Sequence, residues 1–409
     1  MNEGLTSSPS GRRRGAVWWW LLLVLVVVVL VGGTVVGLHV VLPPAVTTPA
    51  PATSPAGQAS ALATPTPAPT PARPQPGAPV VINAGGGPLL PGIGSGQVYA
   101  QSATGVFRIE LATGRITRTA TPDLQEHASF LAESGWVLVK SRWSSTGVLV
   151  RDGQPAAPLP RQFDDEGFLH AGPGGRLWME PEPGTDPTAS TTLQLANPDG
   201  RLSGRSITAP RSAAPYAIFP DGYGGVLMTN RGGVYRLEPG GPRQAAHIRL
   251  VSRGDLIAAG GRRLLVWDCD PRARCEMVLV DQRTGHRTLR QATARTLLAE
   301  SGIGIDRNDY GDASLSPDGT HLAVTANDSA GTFRTHVIDL RSGNDAVLPG
   351  EGPDSNVNRQ LTWSPNSRWL LALTDHQIRA YDTSTRTTTD VPLAGEQLLH
   401  LTATHDPGW

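Results

Sequence analysis

The sequence predicts an all-β fold, a seven-bladed β-propeller of four-stranded blades, preceded by one transmembrane helix and a disordered Pro/Ala/Thr-rich stalk. Three observations predict it. A short apolar strand ending in a tight turn recurs along most of the chain, a proline-led turn recurs ahead of a second strand, and the N-terminus holds one long uncharged apolar run. The expected boundaries are a cytoplasmic tail over 1–15, the membrane span over 16–42, the linker over 43–80 and the propeller over 81–409.

The apolar run comes first along the chain. No Asp, Glu, Lys or Arg occurs between Arg14 and Arg73, and Ala16 to Leu42 exceeds the roughly 20 residues a helix needs to cross a bilayer. Arg12, Arg13 and Arg14 precede it, which keeps the N-terminus in the cytoplasm, and Trp18, Trp19 and Trp20 suit the interfacial belt. A cleavable signal peptide is the competing reading, but its apolar stretch is about 7 to 15 residues and ends at a small-residue site. This run is longer and passes directly into prolines, with no cysteine for lipid attachment. The expected location is therefore the cell membrane, single-pass, with the lipid bilayer met through residues 16–42 and the rest of the chain extracytoplasmic.

The Pro, Ala and Thr segment that follows cannot bury a core. In a polyproline conformation it would reach on the order of 100 Å. Formal net charge is zero and only 17% of residues are charged, so no overall field favours nucleic acid, which is not expected as a partner.

The strand ends that define the repeat are "FRIELATG", "VLVRDG", "LQLANPDG", "VYRLEPGG", "MVLVDQRTG", "HVIDLRSG" and "IRAYDTST", closing near Gly114, Gly153, Gly200, Gly241, Gly285, Gly343 and Thr385. Their spacing is mostly about 40 to 47 residues with one longer interval, the period of a four-stranded propeller blade. The turn before the second strand recurs as Pro173-Gly174-Gly175, Pro220-Asp221-Gly222, Pro317-Asp318-Gly319 and Pro365-Asn366-Ser367, each with residues that tight turns favour. "GQVYAQS" reads as a second strand with no innermost strand before it, and "LLHLTAT" near the C-terminus reads as an innermost strand. The two ends are expected to share one blade.

"LSPDGTHLAV…HVIDLRSG" and "LTWSPNSRWLLAL…IRAYD" resemble the WD40-like repeats of TolB-type propellers, in which a W-S-P-D-G turn is followed by a hydrophobic-Asp-x-x-x-Gly strand end. About a quarter of the chain matches closely and the remainder by period. The resemblance implies the fold, and propellers of this kind serve as binding scaffolds, ancillary peptidase domains and enzymes.

Cys269 and Cys275, the only cysteines, flank a short turn outside the cytoplasm, where such a pair is expected as a structural disulfide. Reduced thiols or a metal are the alternatives. "IDRNDYGD" gathers Asp306, Asp309 and Asp312, but Tyr310 occupies a ligand position of a calcium loop and no Glu closes it, so no metal site is expected. G-x-S-x-G, H-E-x-x-H and clustered His or Cys are not found, and neither a catalytic residue nor a cofactor is expected. Trp136, Trp178, Trp267, Trp363 and Trp369 fall in or beside predicted strands, where core packing accounts for them. Trp143 falls in a polar loop.

In a four-stranded blade, the loops joining second to third strands and those leading to the next blade share one rim, and the other turns share the opposite rim. The long segments fall on the first of these. That rim is expected to bind an unknown protein or cell-wall ligand through Trp143, Asp306, Arg307, Asp309 and Tyr310, with the stalk meeting the opposite rim. The function expected is a binding or interaction scaffold. The alternative is a propeller enzyme acting on a cell-wall or extracellular glycan or peptide, its side chains assembled around the channel from several blades.

Overall fold

The computed structural model describes residues 77–409 except 125–127, 142–146, 164–166, 182–190, 210–216, 221–225, 231–232, 239–245, 252–255, 271–274, 283, 290–312, 328–331, 353–360, 394 and 405–409. The chain divides into two units, Met1–Thr70 and Pro71–Trp409, and all described residues belong to the second. The expected tail, span and nearly all of the stalk lie outside them. No helix among the described residues is long and apolar enough to cross a membrane.

The strands run β1 (Val80–Asn83), β2 (Gln97–Ser102), β3 (Gly105–Glu110) and β4 (Ile116–Ala120), then β5 (Ala128–Glu133), β6 (Trp136–Ser141), β7 (Gly147–Arg151) and β8 (Ala157–Pro158). They continue with β9 (Gly167–Ala171), β10 (Leu177–Pro181), β11 (Thr191–Ala196) and β12 (Leu202–Ala209), then β13 (Ala217–Pro220), β14 (Val226–Asn230), β15 (Gly233–Glu238) and β16 (Ala246–Val251). The last third holds β17 (Leu256–Gly260), β18 (Arg263–Cys269), β19 (Cys275–Asp281) and β20 (Arg287–Leu289), then β21 (Ala313–Leu315), β22 (His321–Asn327), β23 (Phe333–Asp339) and β24 (Asp345–Val347). It ends with β25 (Leu361–Trp363), β26 (Trp369–Thr374), β27 (Gln377–Asp382), β28 (Thr387–Val391) and β29 (Leu398–Ala403).

Among the described residues these strands form a propeller of antiparallel sheets. Six sheets have four strands each, and one has five in the order β1-β4-β3-β2-β29. The expectation of four strands in every blade is thus corrected at the sheet that joins the chain's two ends. Val80–Asn83 adds outside β4, with Val80 opposite Arg118 and Asn83 opposite Ile116. All four residues of β1 are exposed, so the strand shows no alternation between core and solvent to mark it in the sequence. The other end behaves as expected. β29 pairs with β2 from Val98 opposite Ala403 to Ser102 opposite Leu398, which makes the C-terminal segment the innermost strand of the first blade.

Alternation within the strands explains how the sheets stack. Val98 and Ala100 of β2 face Trp369, Leu371 and Leu373 of β26 in one apolar cluster, while Tyr99 faces Phe130, Val137 and Val139 of the second sheet in another. The same division repeats around the ring, so each sheet contributes one face to each of two clusters. Inner strands follow one another in space, with β29 beside β5, β5 beside β9, β21 beside β25 and β25 beside β29. Trp136, Trp178, Trp363 and Trp369 are buried in these seams and Trp267 is partly buried, as core packing requires.

The two closely matching repeats fold their turns alike. Ser316 and Ser364 each accept a backbone N–H through the side-chain oxygen, from His321 and Trp369 respectively, both at 2.9 Å. Each serine hydroxyl also donates to the residue two positions on, to Asp318 at 2.7 Å and to Asn366 at 2.8 Å. The strand-end turns are equally uniform. Gly114, Gly285 and Gly343 have φ of 66°, 68° and 75°, and each donates its N–H to the carbonyl four residues back at 2.7 to 2.8 Å. Arg386 occupies this position in the last blade, with φ of 58° and the same bond to the Asp382 carbonyl at 2.7 Å. A side chain in the left-handed region costs about 1–2 kcal/mol, partly offset in any glycine variant by unfolded-chain entropy. Arg386→Gly is therefore expected to stabilise the protein by about 1 kcal/mol, read as a raised midpoint of urea unfolding; an unchanged or lowered midpoint refutes the strain assigned here.

Asp382 anchors the same turn. Its carboxylate accepts from Arg368 Nη2 at 2.6 Å and from the Ser384 hydroxyl at 2.6 Å. Burial alone would raise its pKa, but these hydrogen bonds outweigh burial and hold the group well below the ordinary carboxylate range.

Candidate binding face

Strand order defines two rims. Turns from inner to second strand and from third to fourth strand lie on what we term the turn rim. Hairpins from second to third strand and the connections between blades lie on the connection rim. β1 decides where the chain enters the ring. Because β1 is antiparallel to β4, and β4 runs toward the connection rim, Val80 lies on the connection-rim side and Asn83 on the turn-rim side. The last residues expected of the stalk, 77–80, thus approach the ring on the connection-rim side through an outermost strand, where the opposite side was expected.

By chain order Trp143 falls between β6 and β7, and Asp306, Arg307, Asp309 and Tyr310 fall between β20 and β21. The five residues themselves lie outside the described residues. Cys269 ends β18 and Cys275 begins β19, and the two are directly opposed cross-strand partners.

A charged and polar network spans the connection rim from the sixth sheet to the first. Arg334 donates to the Gly350 carbonyl at 2.9 Å, and Arg379 donates to the Pro349 carbonyl and to Asp390 Oδ1, the latter at 2.7 Å. Asp375 accepts from the Glu351 N–H at 2.9 Å and returns its own N–H to the Glu351 carbonyl at 2.9 Å. Asp375 and His376 both have positive φ, 48° and 58°, as a two-residue hairpin that follows the strand twist requires. The Leu398 N–H donates to the His376 carbonyl at 2.9 Å, which ties this hairpin to the start of β29. Glu396 then accepts from the Ser102 hydroxyl and from Arg118 Nε, the latter at 2.6 Å, and Arg118 Nη2 reaches the Thr104 hydroxyl at 3.0 Å. These links hold neighbouring hairpins in fixed relation across the blade that contains both ends of the propeller.

Phe168 adds an aromatic to this rim. It is the second residue of β9, an inner strand that starts on the connection rim, and it is 46% exposed. The other aromatic side chains whose exposure is described are buried or half-buried. Sequence reasoning missed Phe168 because "GFLHA" reads as an ordinary apolar inner strand, in which a phenylalanine is expected to be covered.

The titratable side chains of the described inner strands are turned toward different seams. His400 of β29 stacks on Phe130 at 6.0 Å between ring centroids, in the seam between the first and second sheets. Glu133 extends the side of β5 that carries Leu131 toward the third sheet. His170 lies opposite Trp178 on the side toward the fourth sheet, 2.9 Å from Glu180 Oε2. Each falls in a different seam. Among the described residues no group of three His, Cys, Asp or Glu side chains is placed to hold a metal ion.

No protein-family model matches the chain. No curated protein matches it either. Among solved structures, a functionally unknown protein from Desulfotomaculum acetoxidans DSM 771 is similar over 76% of this chain and 99% of its own, at 13% identity and a TM-score of 0.42. TolB from Acinetobacter baumannii is similar over 77% of this chain and 68% of its own, at 10% identity and a TM-score of 0.39. The β-propeller domain of the Trilobed protease from Pyrococcus furiosus is similar over 73% and 95%, at 8% identity and a TM-score of 0.42.

Proposed function

We propose that this chain is a membrane-anchored, extracytoplasmic propeller that acts as a binding scaffold, with the connection rim as its contact face. In this reading residues 16–42 span the bilayer, residues 43–80 form the stalk, and the C-terminal repeats are of the WD40-like, TolB type. The observation that carries the assignment of the face is Phe168, an exposed aromatic on an inner strand of a ring whose other aromatics with described exposure are buried or half-buried. Such residues are favoured where a partner excludes water. The polar network from Arg334 to Arg118 supports it by holding the neighbouring hairpins rigid, and a preformed surface loses less freedom on binding. Trp143, Asp306, Arg307, Asp309 and Tyr310 belong to the same face in this reading, and the ligand is a protein or a cell-wall component.

The test is crosslinking and pull-down with the full anchored chain, comparing the native protein with a Phe168→Ala, Trp143→Ala double variant. Loss of two aromatic anchors is expected to reduce partner capture by at least about tenfold, with an unchanged melting curve. Equal capture by the double variant removes the connection rim from consideration.

The cysteines belong to the same proposal. A disulfide between Cys269 and Cys275 would close the end of the β18–β19 hairpin in an oxidising compartment, contributing about 2 kcal/mol in the chain-entropy model. Mass spectrometry of the chain purified without reductant is expected to show a mass two hydrogens below the dithiol form; two freely alkylated thiols refute the bond.

A further inference from the structure

We propose that β1 is a docking edge on which a second copy of this chain pairs antiparallel, joining two rings side by side through one continuous sheet. The outermost strand of every blade is an open edge, and native proteins blunt such edges with charge or proline. Among the described residues the other outer strands follow that rule: β8 contains Pro158, β12 Arg205, β16 Arg249, β20 Arg287, β24 Asp345 and β28 Asp390. β1 contains neither, and its only blunting devices are its four-residue length and the bulge between Val81 and Asn83. Its sequence is Val-Val-Ile-Asn, and Val80, Val81 and Ile82 are 60%, 47% and 40% exposed. β-branched residues of this kind make favourable cross-strand pairs.

Three features of the chain point to a second copy as the occupant. Residues 74–107 contain no Asp, Glu, Lys or Arg, so two copies of the edge meet without like charges opposed. An antiparallel pair about a two-fold axis sets Val81 against the same residue of the second copy and Val80 against its Ile82, leaving each apolar side chain an apolar neighbour. Pro71, Pro74, Pro76 and Pro79, just upstream of β1, lack the N–H that a ladder needs, so the residues leading into β1 are poor partners for its edge.

A pairing this short buries less than the ~1,000 Å² of a stable interface, so it is sparse in dilute solution. It becomes populated when copies are confined at high effective concentration, and this clause rests on the proposed membrane anchor. The two-fold axis inverts one ring relative to the other and separates the two entry points by about 10 Å. A stalk reaching on the order of 100 Å accommodates that difference.

The test uses the full chain carrying Val81→Cys, reconstituted into phosphatidylcholine and phosphatidylglycerol vesicles and mildly oxidised. Val347→Cys on β24, an equally exposed outer-strand valine at 53%, and the native chain are the controls. Vesicle flotation reads anchoring separately from pairing. The expected result is a covalent dimer several-fold more abundant for Val81→Cys than for Val347→Cys, reduced to the control level when Ile82→Lys is added. Flotation with no excess of dimer overturns the proposal, as does a dimer indifferent to the lysine. A covalent product of any mass other than twice the chain also overturns it, in favour of a foreign strand. A chain that does not float has lost the anchor reading alone, and the same comparison at about millimolar protein then decides the pairing.

Discussion

Removing the chain from Leu398 onward is expected to abolish cooperative folding of the propeller. β29 supplies the whole innermost strand of the first blade, and its loss strips β2 of its ladder from Val98 to Ser102. Leu398 and Leu401 are fully buried in the seam between the last and first sheets, and His400 leaves its stacking partner Phe130. Two buried leucines are together worth about 4–10 kcal/mol when truncated to alanine, against a total stability of roughly 5–15 kcal/mol for a domain. The single variant Leu401→Ala grades the same effect, with an expected loss of about 2–5 kcal/mol. Urea unfolding of the two proteins checks both. A truncated chain that melts as the native one does would mean that β29 is dispensable to the ring.

That closure was legible in the sequence because it depends on a deficit: "GQVYAQS" enters as a second strand with nothing inside it, and "LLHLTAT" has the length and apolar content to fill the place. The proline-led turns were legible for a related reason, since Pro, Asp, Asn and Gly mark conformations few other residues adopt. Arg386 shows where such marks fail. The last blade builds the same left-handed turn with an ordinary side chain, because the Asp382 carboxylate and its partners over-determine the loop. Gln101 and His400 were illegible for another reason. They are cross-strand neighbours, both buried, and a polar residue inside a strand reads as solvent-facing until the next blade is known to cover it. β1 and the glycine-rich run after it carry no alternation, and a strand held mainly by its backbone leaves no trace in the pattern of side chains. The candidate site was the least legible part. Its side chains come from different blades and from connections whose length the repeat does not fix.

The same glycine-rich run carries the second large effect. Residues 84–96 pass along the turn rim between β1 and β2, and Leu90 and Ile93 turn inward to join the apolar cluster of the closing seam, where they are 5% and 0% exposed. Trp369 of β26 holds them there. Its indole N–H donates to the Pro91 carbonyl at 3.0 Å, its ring is 3% exposed within the same cluster, and the neighbouring Asn366 side chain donates to the Gly92 carbonyl at 2.7 Å. One tryptophan therefore fills the seam and fixes the segment that caps it. Trp369→Ala is expected to cost about 3–5 kcal/mol, with the loss concentrated locally, so that hydrogen exchange at Leu89 to Ile93 accelerates more than exchange in the sheets across the ring. Trp369→Phe separates the two roles. It keeps most of the apolar contact and removes the indole N–H, for an expected cost nearer 1–2 kcal/mol. If capping and packing are coupled, the double variant Trp369→Ala, Leu90→Ala costs measurably less than the sum of its parts, because the leucine has already lost its neighbour. Strict additivity, or exchange at Leu89 to Ile93 that Trp369→Ala leaves unchanged, would show that the segment is held by its backbone bonds to Leu111 and Thr113 and that the tryptophan serves the seam alone.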